Sequence, residues 1–156
     1  MKKVLFIASA GGHFSELMQL KPMFKKYNSY FVTDQKNAIK PLKKEYPKHV
    51  YSLIFGTRSH MLSYMLIFPI NIIKSFFIYL RVRPKYIITT GVHTAVPMCY
   101  IGKIFGSKVI YIETFANMKE KGLAGKLIYP IANLFLVQWE SMLEVYPKAK
   151  YIGKLF

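Results

Sequence analysis

The sequence predicts an α/β domain with a Rossmann-like, mainly parallel sheet. Short apolar runs rich in β-branched and aromatic residues alternate with helical patterns along the 156 residues, and such alternation indicates βαβ units. Glycines and polar residues follow several of these runs, where the carboxyl ends of parallel strands meet. The hydrophobic content of 53% argues against disorder and favours a single domain over residues 1–156 with its own core.

The strands are assigned from apolar runs of ordinary strand length. The first six predicted strands are Lys2–Ser9, Ser29–Asp34, His49–Ile54, Tyr86–Thr90, Lys108–Thr114 and Leu134–Gln138. A last segment, Tyr151–Gly153, is predicted as a small strand or the start of a linker.

Helices are predicted between these strands. Their expected ranges are Phe14–Phe24, Asn37–Lys44, Met61–Leu80, a helix from the Gly91–Pro97 junction to Gly106, Lys126–Asn133, and a short helix opening at Trp139-Glu140. Pro22 is expected to end or kink the first helix early, whereas Pro97 suits a first helical turn. The range 115–124 has few apolar residues and is expected to be a loop.

The range Met61–Leu80 is the most apolar part of the chain and is long enough to cross a membrane. Pro69, Asn71 and Lys74 lie inside it and argue against a clean span. The favoured interpretation is a helix broken near Pro69 that buries one face against the protein. The other face then offers lipid the side chains of Met61, Leu62, Met65, Phe68 and Phe76. A wholly buried helix is the alternative, and a true span is the least favoured.

The net charge of +16 arises from 23 basic and 7 acidic residues. Such a chain favours anionic partners, and its high hydrophobicity indicates an anionic membrane surface rather than a nucleic acid. The single cysteine, Cys99, excludes an internal disulfide and fits a reducing compartment. No cluster of histidines, cysteines or carboxylates has the spacing of a metal site, and no signal-peptide pattern opens the chain.

Gly11, Gly12 and His13 follow the first strand at the start of a helical pattern. Glycines allow a tight turn and a close approach to a ligand, and the N–H groups of a helix start attract anions. His13 is the candidate general base, since a neutral imidazole can accept a proton from a hydroxyl; it is also a candidate ligand for phosphate or hydroxyl groups. The alternative is a βα turn in which small residues serve packing and the histidine caps the helix.

Further candidates follow other predicted strands. Gly91, His93 and Thr94 form a second junction, and Glu113 ends the fifth strand, where it could orient a sugar hydroxyl or pair with a lysine. Arg58 could bind a phosphate through two hydrogen bonds, or lie in solvent. Because ligands of parallel sheets bind at the carboxyl ends of the strands, we expect these junctions to share one edge.

The residues Ser9–His13 followed by Glu16-Leu17 resemble the opening of a glycosyltransferase subunit family. That family includes the membrane-recruiting subunit of the two-chain GlcNAc transferase of eukaryotic N-glycan assembly, and bacterial proteins of capsule and exopolysaccharide synthesis. The resemblance extends over essentially the whole chain. It continues through Arg58-Ser59, the apolar helix, Arg83-Pro84, Gly91–Pro97, Ile112–Thr114 and Gln138–Glu140.

The resemblance implies the N-terminal, acceptor-side half of a GT-B glycosyltransferase, with the donor-binding half on a separate glycosyltransferase chain. It implies a subunit that is inactive alone and lies on the cytoplasmic face of the cell membrane as a peripheral or monotopic protein. The bacterial branch is expected, with transfer from a UDP-sugar to a lipid-diphosphate-linked saccharide. The UDP-sugar is a substrate held mainly by the partner, and no cofactor is expected.

The resemblance also assigns expected roles to individual residues. It implies that Gly11, Gly12 and His13 face the lipid diphosphate, that Gly91, His93 and Thr94 line the same cleft, and that Glu113 lies near the acceptor sugar. The one-chain relative that makes peptidoglycan precursors has a longer glycine run than this first loop. The alternative function is a non-catalytic membrane scaffold that recruits and enhances the catalytic chain. A free-standing nucleotide-binding protein is a weaker third interpretation.

Overall fold

The computed structural model describes residues 1–34, 36–55 and 61–155, and the side chains from residue 65 onward in the last of these ranges. Within these ranges, seven parallel strands form one sheet in the order β3-β2-β1-β4-β5-β6-β7. The strands are β1 (Lys3–Ala8), β2 (Asn28–Thr33), β3 (Val50–Ser52), β4 (Tyr86–Thr89), β5 (Lys108–Ile112), β6 (Leu134–Val137) and β7 (Lys150–Tyr151). The predicted Rossmann-like parallel sheet is confirmed.

Helices cover both faces of the sheet. They are α1 (Gly12–Met18), α2 (Lys21–Phe24), α3 (Lys36–Glu45), α4 (Met61–Val82), α5 (Val96–Ile104), α6 (Leu123–Ile128) and α7 (Met142–Val145), with a 3₁₀ turn at His93–Ala95. Buried residues of α1, α2 and α3 pack on one face, and those of α4, α5, α6 and α7 pack on the other. The order reverses between β1 and β4, because the chain passes to the far side of β1 after β3.

Four predicted helices differ from the structure, and the last of them begins at Met142 rather than at Trp139-Glu140. The predicted helix Phe14–Phe24 is divided into α1 and α2, since Pro22 has no N–H to continue the first helix. The predicted break near Pro69 is wrong: α4 is continuous, and exposed Pro69 is accommodated within 22 helical residues. The helix predicted at Lys126–Asn133 starts earlier, at Leu123, and ends at Ile128.

Two glycines shape the loops that follow β1 and β4. Gly11 precedes α1 with a φ of +88°, and Gly91 follows β4 with a φ of +116°. Both values lie in the region that residues with a β-carbon rarely adopt. The sharp turns predicted at both junctions are therefore present, and they bring the two junctions together at the carboxyl edge of the sheet.

Candidate functional site

A cavity of about 350 Å³ opens at the carboxyl ends of β1, β4 and β5. We call it the central cavity. His13, His93, Glu113 and Thr114 line it, so three separately predicted junctions meet there. This arrangement follows from the parallel sheet, which brings the carboxyl ends of neighbouring strands to one edge.

His13 is held in place from two directions. Its ring Nδ1 lies 2.8 Å from the carbonyl oxygen of Thr90, and the Thr90 hydroxyl donates to the His13 carbonyl at 2.6 Å. Because a carbonyl oxygen can only accept, Nδ1 carries the proton of this hydrogen bond. In the neutral ring Nε2 is then an acceptor, which is the state a general base requires.

Gly91 lies against the same ring. A β-carbon at Gly91 would lie 3.1 Å from Nδ1 of His13 and 3.2 Å from the Tyr111 hydroxyl. The next residue, Val92, has a φ of +82°. A β-branched residue in this region is strained by about 1–3 kcal/mol, and Val92 lines the central cavity. The strain therefore lies at the cavity wall, and the sequence gives no signal of it.

Glu113 is 1% exposed and forms part of the cavity wall. Its Oε1 accepts hydrogen bonds from the Asn117 amide at 3.0 Å, the Thr114 N–H at 3.1 Å and the Tyr111 hydroxyl at 3.3 Å. Burial raises the pKa of Glu113 above its ordinary value, and the hydrogen bonds from Asn117 and Thr114 oppose that shift. The carboxyl group is thus easier to protonate than an exposed glutamate.

The second oxygen of Glu113 lies beside Gly125. A β-carbon at that position would lie 2.4 Å from both Glu113 Oε2 and the Tyr146 hydroxyl. Burial raises the pKa of Tyr146 and of Tyr111, and the negative charge of Glu113 raises both further. Both phenols therefore remain protonated at neutral pH.

Glu16 connects α1 to the loop after β5. This residue is 3% exposed, and its Oε1 accepts from the Thr114 hydroxyl at 2.9 Å and from the Phe115 N–H at 2.7 Å. The bonds join residues that are almost a hundred positions apart. They fix the helix that carries His13 relative to the loop that carries Glu113.

The remaining candidates are distributed around this site. Thr94 is buried, and Gly11 and Gly12 are exposed. None of these three residues lines the central cavity. Arg58 lies outside the described residues. Tyr111 and Asn117 were missed by the sequence analysis, although both bind the Glu113 carboxyl group. In the described part of the chain, no group of three histidine, cysteine or carboxylate side chains could hold a metal ion.

Asp34 has a structural role in the first loop. Its Oδ2 accepts from the Ser9 hydroxyl at 2.5 Å, and its Oδ1 accepts from the Ala10 N–H at 2.7 Å. Asp34, Glu16 and Glu113 are all buried, so three of the seven acidic residues are withdrawn from the surface. The surface is therefore even more basic than the net charge of the chain indicates.

Helix α4 presents a wide apolar face to the outside. The segment Met65–Val82 has the length and hydropathy of a membrane span, and 28% of it is buried inside the protein. The wholly buried alternative is therefore wrong. Met65 and Phe76 are exposed and Phe68 is half-buried, while the side chains of Met61 and Leu62 lie outside the described residues.

The opposite face of α4 is attached to the protein through a polar residue. Asn71 is 1% exposed, accepts from the Ile54 N–H at 2.9 Å and donates to the Ile54 carbonyl at 2.8 Å. The amide that argued against a membrane span thus anchors the helix to the segment after β3.

The family described as "Oligosaccharide biosynthesis protein Alg14 like" matches residues 4–155. The chain belongs to the Alg14 family.

Two curated relatives share the name UDP-N-acetylglucosamine transferase subunit ALG14. The Candida albicans protein is 31% identical over 96% of this chain and 76% of its own length. The Mus musculus protein is 26% identical over 98% of this chain and 82% of its own length. The oligosaccharide-biosynthesis family predicted from the motifs is confirmed. Both relatives are eukaryotic, so they give no support to the expected bacterial branch.

A solved structure shares the fold. Acinetobacter baumannii MurG superposes with a TM-score of 0.75 at 13% identity, over 99% of this chain and 46% of the MurG chain. This likeness confirms the predicted GT-B-type fold and carries no statement about activity. The Alg14-family chain thus spans less than half the length of this MurG structure.

Proposed function

We propose that this Alg14-family chain is a membrane-associated, non-catalytic subunit of a two-chain glycosyltransferase that recruits a catalytic, donor-binding chain to the membrane. The exposed apolar face of α4 is the observation that supports this proposal most directly, because Leu66 and Phe77 are 72% and 64% exposed. Contiguous apolar surfaces of this kind mark interaction sites. The relatives' name, which describes a transferase subunit, supports the existence of a second chain.

Basic residues adjoin the apolar face. Lys74 lies within α4, and Arg81 and Arg83 lie at its end. Among the described residues one salt bridge is present, between Lys21 and Glu45 at 3.4 Å. The cations beside α4 are therefore available to anionic lipid headgroups, and each lysine or arginine near the membrane surface contributes about 1 kcal/mol of attraction.

The recruitment proposal is tested by flotation with anionic vesicles. The donor-binding chain should float only when this chain is present. A Leu66→Ser/Phe77→Ser variant should bind the partner in solution but fail to float it. Met118→Ser is the matched control, because Met118 is also exposed but lies in the loop after β5. Flotation of the partner alone, or of the α4 variant at the normal level, would contradict the proposal.

A second candidate function is binding of a lipid-diphosphate-linked saccharide acceptor, with His13 as general base or hydroxyl ligand. The central cavity favours it, since a possible base and a buried carboxyl group line the same small space. Glu113 lines this cavity, and under this candidate function it would orient a sugar hydroxyl. The donor would be a UDP-sugar, such as the UDP-N-acetylglucosamine of the relatives' name, held mainly by the partner. Capsule or exopolysaccharide synthesis stays a prediction of the sequence analysis.

The two candidates differ in their response to His13→Ala. Acceptor catalysis requires that transfer by the reconstituted pair falls, by roughly 100-fold for a lost general base, while complex formation is unchanged. A scaffold tolerates the substitution. His49→Ala is the matched control, because the His49 ring also bonds a backbone carbonyl, that of Ser29 at 3.0 Å, away from the cavity. Unchanged transfer would remove His13 from the mechanism.

A further inference from the structure

The loop after β5 brings Glu113 to the wall of the central cavity, and side chains from the end of β6 hold its main chain. Gln138 follows β6 and donates from Nε2 to the Glu113 carbonyl at 3.1 Å. The next residue, Trp139, donates from its indole N–H to the Phe115 carbonyl at 2.7 Å. These two side chains therefore fix the main chain on either side of the Glu113 side chain's first hydrogen bonds.

Gln138 also binds a second segment of the chain, residues 152–155, which we call the trailing segment because it follows β7. Gln138 is 1% exposed, and its Oε1 accepts from the Leu155 N–H at 2.9 Å. Since a carbonyl can only accept and an N–H can only donate, the two contacts determine which end of the amide faces which segment. One buried amide thus joins the trailing segment to the main chain of Glu113.

The trailing segment has further attachments around Gln138. The Ile152 N–H donates to the Val137 carbonyl at 3.0 Å. The Lys154 ammonium group lies 4.9 Å from the centre of the Trp139 ring and 5.5 Å from that of Phe115, a distance at which a cation is attracted to an aromatic face. The segment is therefore seated on the same two residues, Gln138 and Trp139, that hold the Glu113 loop.

Gln138 and the trailing segment lie outside the wall of the central cavity, so their influence on it passes through the loop. Tyr111 and Asn117 bind the Glu113 carboxyl group directly, whereas Gln138 binds the main chain that carries it. A shift of that main chain displaces the carboxyl group relative to His13 on the opposite side of the cavity.

We infer that Gln138 is a positioning residue that couples the trailing segment to the Glu113 carboxyl group. With both ends of the amide bonded, the Glu113 main chain is held. Release of the Leu155 N–H frees the amide and loosens the loop. The effect on sugar transfer rests on the acceptor-binding candidate above, whereas the coupling itself is a property of this chain alone.

The coupling is tested by amide hydrogen exchange of the purified full chain under native conditions. Gln138→Met has a similar size but removes both hydrogen bonds. The Phe115 amide should then exchange about tenfold faster relative to the amides of β1, because the loop opens locally while the core does not. Asn133→Ala is the matched control, since the Asn133 side chain accepts from the Val109 N–H at 3.0 Å at the other end of β6. It should leave the Phe115 amide within about twofold.

Two substitutions at Leu155 isolate the contact with the trailing segment. Leu155→Pro removes the N–H that binds Gln138, and it also removes the packing of the leucine against the core that α1, α2 and α3 cover. Leu155→Ala loses the packing but keeps the N–H. The Phe115 amide should therefore exchange several-fold faster in the proline variant than in the alanine variant. Adding Leu155→Pro to Gln138→Met should give no further acceleration, because Gln138 is the connection between the two segments.

Transfer by the reconstituted pair gives the functional measurement. Gln138→Met and Leu155→Pro should lower kcat by about tenfold or more, since a misplaced orienting group costs most in the transition state. The KM for the acceptor should change by less than about twofold. Asn133→Ala and Leu155→Ala should keep the normal kcat.

Three results would overturn the inference. They are a Phe115 amide that is indifferent to Gln138→Met, equal exchange in the two Leu155 variants, and faster exchange with an unchanged kcat in a pair whose transfer depends on His13. Failure of the acceptor-binding candidate is recognised separately, because His13→Ala would then leave transfer unchanged while the exchange measurements still decide the coupling.

Discussion

Replacing Glu16 by alanine tests the connection between the two halves of the central cavity. The substitution removes two hydrogen bonds to one carboxylate, at 2.9 Å from the Thr114 hydroxyl and 2.7 Å from the Phe115 N–H. Bonds to charged groups contribute about 1.5–3 kcal/mol each, and relief of the buried carboxylate offsets part of that loss. We therefore expect the free energy of unfolding to fall by about 2–4 kcal/mol, which lowers Tm by roughly 4–16 °C for a domain of this size.

Thr114→Val tests one of the two hydrogen bonds to Glu16 separately. Thr114→Val keeps the shape of the side chain but loses the hydroxyl that donates to Glu16 and accepts from the Ala116 N–H. It should cost about 1.5–3 kcal/mol, the range for one bond to a charged group. The double variant should be less destabilised than the sum of the two single variants, since both remove the same bond. Calorimetric melting of the three variants gives the comparison.

The loss of Glu16 should also affect function. Under the acceptor-binding candidate, transfer by the reconstituted pair should fall in Glu16→Ala below the melting temperature, because α1 carries His13 and is no longer fixed to the loop after β5. A Tm within about 2 °C of the unmodified protein would refute the claim that Glu16 joins these elements. Strict additivity of the two single variants would refute the claim that they act through one bond.

Three further predictions concern buried groups. The pKa of Glu113 is raised above its ordinary value of 4.5, so above pH 4.5 the folded state retains a proton that the unfolded state has lost. The free energy of unfolding therefore falls as pH rises, until the pKa of the folded state is passed. Glu113→Gln should flatten this dependence in thermal melts from pH 4 to 9, and an unchanged slope would contradict the prediction. Gly125→Ala should destabilise the protein by about 1–3 kcal/mol in urea titration, because its β-carbon would lie 2.4 Å from the Tyr146 hydroxyl, and a neutral effect would show that the site has room. Burial raises the pKa of the Cys99 thiol to about 12, so Ellman's reagent at pH 8 should label it only after unfolding, and rapid labelling of folded protein would contradict its burial.

The sequence predicts that the candidate residues meet at one edge of the sheet, because the alternation of strands and helices indicates that the strands are parallel. The sequence placed His13, His93 and Glu113 after three different strands, and the parallel sheet then determines that they share an edge. Tyr111 and Asn117 were not predictable in the same way. Tyr111 lies within the apolar run of β5 and reads as core, and Asn117 lies in a loop with no regular pattern.

Two other differences between the predictions and the structure arise from interactions that the neighbouring sequence does not show. Pro69 predicts a break when read alone, yet α4 runs through it over 22 residues, so the loss of one backbone hydrogen bond does not end this long helix. Asn71 is a polar residue within an apolar helix, and the sequence alone does not show what its amide binds. In the structure the amide forms hydrogen bonds with the backbone of Ile54, which lies 17 residues earlier. Such long-range hydrogen bonds depend on how the chain folds back and leave no periodic signal.

The Asn71 amide has a consequence for how the protein would approach a bilayer. An amide that bonds both the N–H and the carbonyl of one residue fixes the rotation of α4 about its own axis, because turning the helix by one residue would break both bonds. The apolar face therefore has a single orientation relative to the sheet. A bilayer bound to that face would set the tilt of the whole domain, and with it the height of the central cavity above the lipid. The central cavity would then accept a saccharide whose reactive hydroxyl lies at that height above the lipid.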